Sequence, residues 1–195
     1  MTASAARPLT SMILFAMLAA ASVVSMTPAA VAGEVADKAA EAETLLGNGQ
    51  TRAAFAAVDA AVDAFWTAAP LTLANAYFVA ADSGRRPDGP FRVGEAAKVH
   101  LEPLGYGFTE ADGSFAIGLK TGIEIRTPGG LILAKTEDFG RLEWEGAVKN
   151  RAFNGRVGID LPELKAGDYE LLLTVTDEAS SKSATASLPF TVAAE

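Results

Sequence analysis

From Leu71 to the C-terminus, apolar side chains recur at every second position in short runs. Ala97, Val99 and Leu101 alternate with Lys98, His100 and Glu102. Phe115, Ile117 and Leu119 share a parity that continues through Ile123 and Ile125, past a bend expected at Gly122. Phe153, Val157, Ile159 and Leu161 form a further run. Tyr169, Leu171, Leu173 and Val175 follow, and then Ala184, Ala186, Leu188, Phe190 and Val192. Leu71, Leu73 and Tyr77-Phe78-Val79 supply an opening strand. Leu131-Ile132-Leu133 supplies a short one after the turn signal Pro128-Gly129-Gly130. A period of two puts alternate side chains on opposite faces of a strand. Seven such segments, separated by turn residues and hardly interrupted by helix, predict an antiparallel immunoglobulin-like sandwich rather than a parallel sheet. Residues 71–195 are assigned to it.

The period changes upstream. Residues 33–70 are rich in Ala, Asp and Glu, with few β-branched positions, a composition that favours helix. Gly47-Asn48-Gly49 divides the stretch as a C-cap and turn would. Val35, Ala39, Ala42 and Leu46 step at helical spacing before it. After it, Thr51 is the expected N-cap, and Phe55, Val58, Val62 and Phe65 lay one apolar stripe on a second helix. The prediction is a helical hairpin ending near Pro70. It resembles one unit of a tetratricopeptide repeat, with Ala54 and Ala61 seven apart where two helices approach closely. A single unit cannot bury its own face. The hairpin is therefore expected to pack on the sandwich or on another molecule.

Residues 1–32 read as a secretory signal peptide. Arg7 precedes an apolar run from Met12 to Val24, followed by a helix-breaking Pro28 and then Ala30-Val31-Ala32, the small residues a signal peptidase reads. An uncleaved anchor is the alternative, but the run is short for a span, which takes about 20 apolar residues.

Composition narrows the function. The formal charge is −8, and −9 once Arg7 leaves with the signal. Without a basic cluster, the chain is repelled by nucleic-acid phosphates and by anionic membrane surfaces. There is no Cys, so disulfides, thiolate metal sites and Cys–His pairs are excluded. The one histidine, His100, lies on the parity opposite the apolar face and is expected to be an exposed strand residue.

Leu164-Lys165-Ala166-Gly167-Asp168-Tyr169 leads into the strand Glu170–Asp177. It resembles the sixth strand of an immunoglobulin-like or fibronectin-like domain, where a Tyr hydroxyl bonds back onto the preceding loop as a tyrosine corner. Three stretches resemble a family of exported proteobacterial proteins of uncharacterised function: Phe91 to Phe108, Asp168 to Asp177, and Ser180-Ser181-Lys182-Ser183 leading to Leu188-Pro189-Phe190. The resemblance implies a sandwich and an exported location, and leaves the hairpin outside it.

Catalytic, cofactor and metal residues are expected to be none. The leading expectation is a noncatalytic periplasmic or secreted interaction domain with a protein partner, no nucleic acid and no membrane insertion after signal cleavage. Its oligomeric state is not set by the sequence. Tyr106, Phe108 and Trp144 are the candidate partner-binding residues. Tyr106 and Phe108 lie in the loop Glu102-Pro103-Leu104-Gly105-Tyr106-Gly107-Phe108, where Gly105 and Gly107 free the backbone, and such loops often carry recognition. The competing expectation is that both aromatics plug the end of the core. Trp144 among acidic neighbours would serve a carbohydrate-binding module. Glu143 and Glu145, of equal parity, would serve a hydrolase that works with two carboxyls across a cleft; solvated edge-strand charges explain the same pattern.

Overall fold

The computed structural model describes residues 28–80, 84–86 and 89–194. The predicted signal peptide lies outside them, apart from the backbone of residues 28–32. The chain opens with two helices, α1 (Pro28–Gly47) and α2 (Thr51–Ala68). Pro28 does not break a helix. It stands at the first helical position, where its missing N–H would have had no partner. The break falls at the predicted glycines: Gly49 adopts φ +73°, and the Gln50 N–H returns to the Leu45 carbonyl at 2.9 Å. Thr51 begins α2 rather than capping it; the cap position is Gln50, whose side chain makes no capping bond. Ala42 of α1 and Ala54, Ala57 and Ala61 of α2 are buried, because small side chains let two helix backbones approach closely.

Eight strands follow: β1 (Thr72–Phe78), β2 (Ala96–Leu104), β3 (Thr109–Ala111), β4 (Ser114–Arg126), β5 (Ile132–Gly146), β6 (Gly155–Asp160), β7 (Gly167–Asp177) and β8 (Ser183–Val192). One sheet has the order β1-β2-β6. The other runs β5-β4-β7-β8, with β3 paired to the start of β4. Every pairing between named strands is antiparallel. The fold is a β-sandwich preceded by a helical hairpin.

Alternation sorts the core as expected. Val99 and Leu101 of one sheet, and Leu119, Leu171, Leu173 and Val175 of the other, have no exposed surface. Each such side chain stabilises the fold by roughly 1.5–3 kcal/mol. Gly122 marks a bulge rather than a simple bend. Thr121 pairs with Gly140 and Ile123 with Thr136, so β5 carries two extra residues there. A Cβ at position 122 would lie 3.1 Å from the Glu137 carbonyl. The tyrosine corner is formed: the Tyr169 hydroxyl donates to the Lys165 carbonyl at 2.8 Å. At the far edge, Phe91 pairs in parallel with Val192, which covers backbone groups of β8 that would otherwise be a free edge.

Candidate functional site

The loop after β2 is held in place by backbone geometry before any side chain acts. Gly105 has φ +78°, and a Cβ there would come within 2.5 Å of the Pro70 carbonyl oxygen. Only glycine lets the loop pass this close to the end of the hairpin. Tyr106 then turns inward. It is 1% exposed; its hydroxyl donates to the Asn150 carbonyl at 2.5 Å and accepts from the Phe153 N–H at 3.3 Å. Burial pushes the phenol up to about 12, against weaker opposing effects of the Phe153 N–H and the Arg151 charge. Phe108 is half-buried and meets the Tyr106 ring edge-on at 5.5 Å. Of the two expectations for this loop, the geometry realises the plug. Tyr106 has no surface to present to a partner, because an aromatic ring with a satisfied hydroxyl is drawn into the interior.

Trp144 stands apart, on β5, opposite Ile117. It is half-buried against the core, and its ring lies across Gly146, where an added Cβ would be 2.5 Å from Cζ2. The structure therefore does not bring Trp144 together with Tyr106 and Phe108. Glu143 and Glu145 flank it, both exposed. His100 differs from expectation. It is only 9% exposed, covered by the Tyr77 ring at 4.9 Å, with Nε2 3.0 Å from Glu102 Oε1. The other Glu102 oxygen accepts from Asn75 Nδ2 at 2.5 Å. These two hydrogen bonds, from Asn75 first and His100 second, hold the Glu102 carboxyl below its usual range. Parity alone placed His100 outside; cross-strand side chains on that outer face bury it. Among the described residues, no group of three His, Cys, Asp or Glu side chains is arranged to hold a metal ion, and no helix is long and apolar enough to cross a membrane.

The residues that join the hairpin to the sandwich were not singled out from the sequence. Trp66, one position beyond the predicted stripe, donates its indole N–H to the Tyr106 carbonyl at 2.7 Å and meets the Tyr106 ring edge-on at 5.1 Å. Asp63 pairs with Lys149 at 2.9 Å and with Arg151. Burial would push the Asp63 carboxyl up, but the Lys149 hydrogen bond and charge, aided by Arg151, outweigh it and hold it below the ordinary carboxylate range. Lys182, from the β7–β8 turn, donates to the carbonyls of Thr67, Ala69 and Gly105 at 2.7, 2.7 and 3.0 Å. Burial pushes its ammonium down, against the raising effect of the nearby Asp177 charge. Asp177 is itself fully buried and accepts from the Gly107 N–H at 2.7 Å. A Trp near a helix C-terminus and a Lys in a hairpin turn carry a weak signal, because both act on backbone carbonyls from distant parts of the chain.

This docking uses the side of α2 that bears Asp63 and Trp66, and leaves the predicted apolar stripe facing away. Phe55 is 69% and Phe65 60% exposed. With Val58, Val62 and Leu46 they line a groove of about 570 Å³ between the two helices. Glu43 and Thr51 supply its polar lining. Among the described residues nothing covers it.

No family model matches the chain, and no curated protein matches it. Among solved structures, CopC from Methylosinus trichosporium OB3b is similar over 62% of this chain and 96% of its own, at 20% identity and a TM-score of 0.29. A family 123 glycoside hydrolase from Clostridium perfringens is similar over 54% of this chain and 23% of its own, at 14% identity and a TM-score of 0.34. Neither overlay is close, and the architecture rests on the strand pairing itself.

Proposed function

We propose that this is an exported, noncatalytic protein-interaction domain, in which the sandwich is a rigid mount and the helical hairpin carries the binding surface. The observation behind this reading is the orientation of the hairpin. A helix pair held by Trp66, Asp63 and Lys182 could have buried its apolar stripe on the sandwich, and instead turns it outward. Exposed contiguous apolar surface on an otherwise well-packed molecule marks an interaction site. The leader-like first 32 residues and the resemblance to exported proteobacterial proteins support a periplasmic or secreted setting.

On this reading the partner is bound at Phe55, Val58 and Phe65, all exposed, rather than at the buried Tyr106. Phe108 and Trp144, both half-buried, remain secondary candidates. The test is affinity capture from periplasmic extract with the purified protein at native abundance. A defined, stoichiometric partner is expected. Repeated recovery of none would remove the reading.

A further inference from the structure

We infer that the groove between α1 and α2 takes a basic amphipathic helix from a partner protein. The inference rests on the interaction reading above and gives it a ligand chemistry. Shape comes first. The groove is bounded by two antiparallel helices, and on α1 its lining runs from Val35 to Leu46, a span of roughly 16 Å at 1.5 Å per residue. That length suits about three turns of a third helix. Such a helix would set residues spaced i, i+3 or i+4 and i+7 against Leu46, Phe55, Val58 and Phe65, the helix-in-groove mode of recognition. Both edges of an extended peptide would instead face side chains only, leaving its backbone donors and acceptors unpaired against an apolar wall.

Charge selects the partner. With Asp63 committed to Lys149 and Arg151, the hairpin carries Glu34, Asp37, Glu41, Glu43 and Asp59 against Lys38 and Arg52. Lys38 is further engaged by Glu41 at 2.9 Å. Glu43 lines the groove directly. A cationic helix therefore meets one carboxylate at the groove and the net negative charge of the hairpin around it, over a floor that is otherwise apolar. A second copy of this chain would bring two net-acidic hairpins together, and an anionic lipid surface would be repelled.

Two fluorescent 14-residue peptides with identical leucine faces test this, one with lysine and one with glutamate on the polar face. Each is titrated against the purified protein by anisotropy, at low and high salt. The lysine peptide is expected to bind at least tenfold more tightly than the glutamate peptide, and to weaken as salt rises. Val58→Glu separates groove seating from general attraction. It adds negative charge at an exposed position, so plain electrostatics would strengthen lysine-peptide binding, whereas occupation of the groove predicts at least a tenfold loss. Thermal melting confirms that the variant is folded, and Phe55→Ser gives a second, neutral variant with the same expected loss. Equal binding of both peptides, or unchanged or tighter lysine-peptide binding by Val58→Glu, overturns the inference. So does a dimer in sedimentation velocity that Val58→Glu converts to monomer, which would identify a second copy as the occupant. Capture of the same extract partner by wild type and Val58→Glu would overturn the groove while leaving the interaction reading intact.

Discussion

The Trp66 indole N–H and the Tyr106 carbonyl oxygen, 40 residues apart in the chain, meet at 2.7 Å where the hairpin joins the sandwich. The Tyr106 ring is buried in the core and meets the Trp66 ring edge-on at 5.1 Å. A single residue therefore ties the two parts of the molecule: its carbonyl and ring meet Trp66 of the hairpin, and its hydroxyl is held by Asn150 and Phe153 of the sandwich. Trp66→Phe keeps most of the apolar contact and removes the donor. Leaving a part-buried carbonyl unpaired should cost about 1–2 kcal/mol. The check is chemical denaturation, together with faster proteolysis in the Gly47–Gly49 turn if the hairpin loosens.

Tyr106 itself separates two contributions. Tyr106→Phe deletes the hydroxyl bonds to Asn150 and Phe153 and is expected to cost roughly 1–2 kcal/mol. Tyr106→Ala empties a fully buried ring and should cost about 3–5 kcal/mol. Equilibrium unfolding of both variants reads these values. A loss below about 0.5 kcal/mol for the alanine variant would contradict the plug, since surface substitutions fall in that range.

The hairpin's attachment should weaken in acid. The Asp63 carboxyl lies below its unfolded value, so its contribution is present above the unfolded pKa of about 4 and is lost as pH falls through the folded value. Because the pair is partly exposed, the effect is modest. In a Trp144→Phe background, Trp66 fluorescence should shift towards its solvent-exposed emission as pH falls below about 4. Asp63→Asn should flatten that change. An identical acid titration in the variant would show that Asp63 plays no part.

The tyrosine corner offers a check on the sandwich alone. Tyr169→Phe removes the bond to the Lys165 carbonyl and is expected to cost about 1 kcal/mol. The folded peptide-binding surface on the hairpin should be unchanged. Thermal unfolding and the lysine-peptide titration, run on the same sample, distinguish the two effects.

The strands were legible wherever one face is buried, because a core demands strict alternation. Ile117 through Ile125 and Leu171 through Val175 follow that rule, and their parity appears unaltered in the structure. β3 was not legible: three exposed residues, Thr109–Ala111, carry no periodic signal. Most of β5 was also hidden, since between Leu133 and Leu142 its pattern is polar and interrupted by the Glu137–Phe139 bulge. The apolar stripe of α2 was readable residue by residue, but its direction was not. Direction is decided by Trp66, Asp63 and Lys182, whose partners lie from 40 to 115 residues away. His100 shows the same gap on a smaller scale. Its parity is correct, and its burial comes from Tyr77 across the strand pair.

The start of α1 at Pro28 bears on how the molecule matures. A cut after Ala32 would fall within the first two turns of that helix. If the leader is cleaved there, as the exported reading proposes, the first turn would have to fray before the cut, which a helix terminus does at little cost. The trimmed product loses one and a half turns of α1, yet every groove residue from Val35 onward stays on the retained side. On the exported reading proposed above, the groove would therefore outlast processing unchanged.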